Sequence, residues 1–156
     1  MKLAEASKII LHSDAPLPLL ERLQNRFPDC IAKTCDTYEE MNDLVPSFEP
    51  DIVYSVRFAG TPGFPRDVLL GSSGPEWICV GGSGIDHLGH WDMTKTIVTN
   101  SAGVAASMMA EYVMGSLLHF NLDVDGLVKD KQSKTWRARK MMPLKGKTML
   151  IAGLGQ

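Results

Sequence analysis

Through its first hundred residues the chain alternates strand-like runs with segments of helical period, and this alternation restricts the fold more than any other feature. Residues 8–12 (KIILH), 30–35 (CIAKTC), 51–56 (DIVYSV), 77–80 (WICV) and 96–99 (TIVT) read as strands. Between the first two, residues 18–27 (PLLERLQNRF) place Leu19, Leu20, Leu23 and Phe27 at helical spacing behind a proline suited to a first turn. Thr37 is placed to cap a helix from Tyr38 to about Val45, with Glu39 and Glu40 near its positive end. Residues 57–65 hold two prolines and two glycines and form a loop, and a short helix over 65–70 stops at Gly71. Strand followed by helix, repeated, predicts an α/β fold: a parallel sheet with helices on both faces.

In such a sheet ligands bind beyond the carboxyl ends of the strands. That rule selects the loop from Arg57, the loop from Gly81 and the turn after Thr99. The second of these runs Gly81-Gly82-Ser83-Gly84-Ile85-Asp86-His87. Glycines there let backbone N–H groups face an anion, and a short helix from about Asp86 would add its positive end. The natural guest is a carboxylate. The same residues also suit a tight strand-to-helix turn capped by Asp86.

From Val104 to about Val128 the pattern predicts one long helix. Val104, Met108, Met109, Tyr112, Val113, Leu117, Leu118 and Phe120 go nearly all the way round it, so the helix is expected to be buried on more than one side, as between two domains. Glu111 is a lone acid on this surface, suited to a capping or interdomain hydrogen bond or to catalysis. Residues 148–152 (TMLIA) are then expected to form a strand, followed directly by Gly153-Leu154-Gly155-Gln156, the first half of a G-x-G-x-x-G motif. In the full motif the first glycine permits the tight turn and the second lets a pyrophosphate approach the backbone.

Composition excludes several classes. The charged fraction of 22% and hydrophobic fraction of 44% are those of an ordinary globular chain. No apolar run approaches the ~20 residues that span a bilayer, so no membrane partner is expected. The start has neither the apolar core nor the cleavage site of a secretory signal. The three cysteines, Cys30, Cys35 and Cys79, have no metal or redox spacing and are read as reduced cytoplasmic thiols; no metal site is expected. Residues 129–147 carry Lys129, Lys131, Lys134, Arg137, Arg139, Lys140, Lys145 and Lys147 against Asp130, in a chain of net charge −2. Such a stretch can bind nucleic acid. With Trp136 as its one aromatic and no nucleic-acid motif, it is read instead as a solvated connecting segment or one facing an acidic domain, with no nucleic-acid partner expected.

Taken in order, G-x-G-I-D-H-L at 82–88, V-T-N-x-x-G-V at 98–104, A-E-Y-V at 110–113, Trp136, and L-x-G-K-T-x-x-I-x-G-L-G at 144–155 resemble the D-isomer-specific 2-hydroxyacid dehydrogenases. The resemblance covers residues 51–156 by motif and the first fifty by fold pattern alone. It implies a flavodoxin-like substrate domain over 1–102, an interdomain helix and linker over 103–147, and the first strand of a Rossmann domain over 148–156. It further implies hydride transfer between NAD or NADP and a small 2-hydroxy or 2-keto acid, in a parent protein that is a homodimer. Ser83 and Gly84 would contact the substrate carboxylate, with Ser83 also near the nicotinamide. Arg57 would help hold the anionic substrate, unless it is simply a solvated loop residue. Gly153 and Gly155 would face the cofactor. The family's catalytic arginine, acid and histidine come from beyond the glycine motif. His12, His87, His90 and His119 do not match the histidine, and His87 is read as structural. Ala105 departs from the family pattern, where many members have asparagine. The chain is therefore expected to be the front part of an oxidoreductase, inactive by itself. The alternative is a stand-alone flavodoxin-like binding or regulatory module without redox chemistry.

Overall fold

The computed structural model of the chain describes residues 7–56 and 63–153. Its contacts divide the chain into two compact units, Met1–Ala102 and Gly103–Gln156.

The first unit is an α/β layer structure. Its elements run β1 (Lys8–Ser13), α1 (Pro16–Arg26), β2 (Ile31–Cys35), α2 (Tyr38–Phe48), β3 (Ile52–Val56), α3 (Arg66–Leu70), β4 (Trp77–Val80), a 3-10 turn (Asp86–Leu88) and β5 (Ile97–Asn100). All five strands are parallel, in the order β2-β1-β3-β4-β5. That is the flavodoxin-like doubly wound order, whose switch point lies between β1 and β3. The register there pairs His12 with Ser55 and Ser13 with Val56.

Side-chain alternation along β1 explains why both faces are covered. Ile10 points into one core with Met41, Val45 and Phe48 of α2, Leu69 of α3, and Val53, Ile78 and Val80 of the neighbouring strands. Ile9 and Leu11 point the other way, where Ile52 and the α1 residues Leu19, Leu20 and Leu23 pack on them. A strand buried on both faces needs a continuous apolar run, which residues 9–11 supply. Local chemistry fixes the helix ends. Thr37 caps α2, its hydroxyl accepting the Glu40 N–H at 3.2 Å. The α2 helix runs three residues past the expected Val45 because Pro46 is tolerated within it, and it stops at Glu49 in the left-handed region. Lys95 crosses from the β5 side to donate to the carbonyls of Gly71 (3.0 Å) and Ser72 (2.5 Å), satisfying groups just beyond α3.

The second unit holds α4 (Ala106–Asn121) and α5 (Val124–Gln132). The sequence predicts one long helix here, and the structure breaks it. Asp123 adopts a left-handed backbone (φ 49°) and its carboxylate accepts the Gly126 N–H at 3.2 Å, so it ends one helix and caps the next. The expected burial of this helix is also absent: no residue of α4 or α5 is buried, and Glu111 is exposed. Residues 148–152 form no strand. A strand is defined by its ladder, and none of the described strands pairs with this segment. Arg139 forms ion pairs with Asp123 and, at 2.6 Å, with Asp130, and Arg137 approaches Asp130 at 3.5 Å. With Lys147, which donates to the Asn121 side-chain oxygen, at least three of the eight basic side chains of residues 129–147 are engaged within the unit.

Candidate functional site

At the carboxyl edge of the sheet β1, β3, β4 and β5 end side by side at Ser13, Val56, Val80 and Asn100. The loop leaving β4 is built into that edge. The Gly81 N–H donates to the Ser55 carbonyl at 2.8 Å, continuing the β3–β4 ladder by one residue. A Cβ at Gly81 would overlap the Val56 side chain, so the close approach of the two chains requires glycine there.

Beyond Gly81 the loop is held from the β5 side. The Ser101 N–H donates to the Gly82 carbonyl at 3.0 Å, and the Asn100 side-chain amide donates to the Ser83 carbonyl at 2.8 Å. The Ser101 hydroxyl donates to the Val80 carbonyl at 3.2 Å, anchoring the root of the same loop. Every described peptide is trans, and in a planar trans peptide the N–H points opposite to the C=O. With the Gly82 and Ser83 carbonyls drawn toward the β5 turn, the N–H groups of Ser83 and Gly84 face away from it. Among the described residues neither N–H donates to a protein acceptor, and residues 82–84 are exposed. Two adjacent exposed backbone donors are chemically able to bind a small anion such as a carboxylate. Asp86 stands close by: its Oδ2 would be 3.8 Å from a Cβ on Gly84. Its charge opposes a heavily charged guest such as a phosphate more than a single carboxylate.

The helix that was expected to reinforce this loop from Asp86 is a single 3-10 turn of three residues with no side-chain cap. So short a turn has no significant dipole, and Asp86 is not its cap. A helix dipole therefore adds nothing to this loop, whose exposed donors are those of its own peptides.

On the other flank, a run of rings lines the edge. His12 is fully buried, and its Nδ1 lies 2.9 Å from the Ser55 hydroxyl. Its ring is 4.7 Å from that of Tyr38; Tyr38 meets Phe64 edge-on at 5.7 Å, and Phe64 meets His87 edge-on at 5.0 Å. His87 is thus an exposed ring beside the loop, in edge-on contact with Phe64. Arg66 ties the same region down, donating from Nε to the Leu88 carbonyl at 3.0 Å and from its guanidinium to the His90 carbonyl. Burial, with the nearby Glu40 and Asp36 carboxylates, pushes the Cys35 thiol up to about 12, so it is protonated and unreactive at neutral pH. Burial also raises the Tyr54 phenol, and hydrogen bonds from Thr94 hold the Asp92 carboxyl below its usual range. Cys30, Cys35 and Cys79 are free thiols, and among the described residues no group of three metal-ligating side chains forms.

Of the residues singled out from sequence, Ser83 and Gly84 share the pinned loop. Arg57 and Gly155 lie outside the described residues. Gly153 belongs to the second unit and has φ +124°, with open space around a Cβ position. Glycine alone adopts such a backbone without strain. The strand that should present the dinucleotide turn is not formed over 148–152, so the described residues do not build a cofactor pocket. Asn100 and Ser101 escaped the sequence reading as loop anchors. Their signal was present as a short Asn-Ser pair directly after a strand, a composition that favours side-chain-to-backbone bonds.

No protein-family model matches the chain, and none of the curated proteins does. Among solved structures it is similar to a D-isomer specific 2-hydroxyacid dehydrogenase family protein from Aeromonas salmonicida subsp. salmonicida A449, with a TM-score of 0.70 and 20% identity. The match covers 92% of this chain and 44% of that one, so the chain spans less than half the length of the solved protein it resembles. At this identity the likeness establishes the fold: an α/β architecture shared with a dehydrogenase-family protein.

Proposed function

We propose that this chain supplies the substrate-holding part of an oxidoreductase that moves a hydride between NAD or NADP and a small 2-hydroxy or 2-keto acid. The observation that carries this reading is the loop after β4. It presents the Ser83 and Gly84 N–H groups side by side at the carboxyl edge of the sheet, where a doubly wound fold binds its ligand. The fold shared with the dehydrogenase-family protein and the ordered motifs from Gly82 to Gly155 support the same reading.

In this reading the substrate carboxylate is held by the two N–H groups, which orients the carbonyl carbon, and Arg57 adds a positive charge. Ser83 stands between substrate and nicotinamide, and Gly153 and Gly155 belong to the cofactor turn. In this reading the chain by itself is expected to be inactive. The parent protein is read as a cytoplasmic homodimer, as the resemblance implies. Among the described residues no helix is long and apolar enough to cross a membrane.

Two measurements on the purified chain test this. Calorimetric titration with pyruvate or glyoxylate is expected to give saturable one-site binding, and its absence at millimolar ligand counts against the substrate assignment. Absorbance of NADH mixed with either acid and the chain is expected to stay constant; oxidation of NADH would overturn the division of labour.

A further inference from the structure

We infer that Asn100 is a positioning residue for the exposed donors of this loop, acting through the Ser83 carbonyl without touching the ligand. The inference deepens the carboxylate-binding reading of the same loop and rests on it. Three observations support it. Asn100 is the last residue of β5, so its backbone is fixed by pairing with Val80. Its side chain is fixed at both ends: the amide donates to Ser83 O at 2.8 Å, and Oδ1 accepts the Ala102 N–H at 3.4 Å. The bond it makes lies on the same peptide plane as the Gly84 N–H, so the direction of that donor is set by Asn100. The neighbouring plane is set by the Ser101 N–H on Gly82 O at 3.0 Å, a main-chain bond that substitution at Asn100 leaves in place. Residues 82–84 are exposed, and a Cβ at Gly82 would meet open space, so little packing holds this stretch. Without the Asn100 amide the Ser83–Gly84 peptide is free to rotate, and one of the two adjacent donors is lost from its position.

The chemistry also says which substitutions separate donor from acceptor. Asn100→Asp keeps an oxygen for Ala102 N–H but replaces the amide donor by a carboxylate facing the Ser83 carbonyl. It should behave like Asn100→Ala or worse.

The test uses the full chain, 15N-labelled, as wild type, Asn100→Ala and Asn100→Asp, with pyruvate as the probe. Backbone relaxation reports the order of the Ser83 and Gly84 amides, and pyruvate titration reports affinity. In both variants the Gly84 amide is expected to lose order while the amides of β3 and β4 stay unchanged. Pyruvate affinity is expected to fall about tenfold, the effect of one misplaced hydrogen bond. Unchanged order at Gly84 overturns the assignment, as does lost order with unchanged affinity. If wild type itself shows no pyruvate response at Ser83 and Gly84, the carboxylate reading fails, and the relaxation data alone decide whether Asn100 orders the loop. Global unfolding of a variant would appear as collapse of the β3 and β4 signals. In that case the side-chain amide of Asn100 in the wild-type chain provides the comparison: a slowly exchanging, motionally restricted Nδ2 beside an ordered Gly84 amide supports the assignment, and a freely rotating Nδ2 beside an ordered Gly84 amide overturns it.

Discussion

Gly81 and Asn100 each owe their role to a neighbour that sequence order hides. Gly81 sits against Val56, and Gly81→Ala forces the added carbon onto that side chain. The substitution should destabilise the first unit by roughly 1–3 kcal/mol, the usual cost of overpacking, as measured by urea unfolding. Gly82→Ala, with open space at the same atom, should cost far less. Cys35 is buried, and its thiol is pushed from 9.0 to about 12, first by desolvation and then by Glu40 and Asp36. Its folded form keeps a proton that the unfolded form releases above pH 9. The stability tied to Cys35 is therefore fully present below that pH and declines as pH rises from 9 toward 12. Cys35→Ala should flatten this alkaline limb in unfolding curves collected between pH 8 and 11. An unchanged limb in the variant would show that other groups control it.

At the scale of elements, most of the first unit was legible because strand and helix periods are local. Residues 9–11 form a continuous apolar run and sit in the doubly covered strand β1. Thr37 follows a strand and precedes two acids, and it caps α2. Removing that cap by Thr37→Ala should cost about 1 kcal/mol in denaturant unfolding. Asn100 and Ser101 were not legible as anchors, since their partners Gly82, Ser83 and Val80 are set by parallel pairing between β4 and β5, which no local pattern encodes. The break at Asp123 was missed for a different reason. Asn121, Val124, Asp125 and Gly126 around it are weak helix formers, but the apolar spacing continues across them, and the carboxylate bond to Gly126 marks where the second helix starts. The strand at 148–152 was inferred from composition, and composition supplies no pairing partner. The 3-10 turn at Asp86–Leu88 is a similar case: a residue able to cap a helix does not lengthen one.

At the scale of the whole molecule, the two units differ in what holds them. The first buries a core on each face of its sheet. The second has helices with no buried residue, and Val104, Met108, Met109, Tyr112 and Phe120 are each at least 65% exposed. Helices without packing owe little to tertiary structure and exchange readily. Hydrogen exchange should show β1, β3 and β4 protected for far longer than α4. Equal protection of α4 would mean that its apolar surface is covered in solution. An apolar surface of this extent also favours association, so sedimentation velocity should show species larger than the monomer as concentration rises. A monodisperse monomer at high concentration would contradict that expectation.

The central claim is that the pinned loop after β4 holds a carboxylate on its own backbone. Amide-resolved NMR titration of the chain with pyruvate addresses it most directly, because the basic stretch at 129–147 offers any anion a competing surface. The account requires saturable shifts concentrated at Ser83 and Gly84. Shifts confined to 129–147, or scattered without saturation, would contradict it.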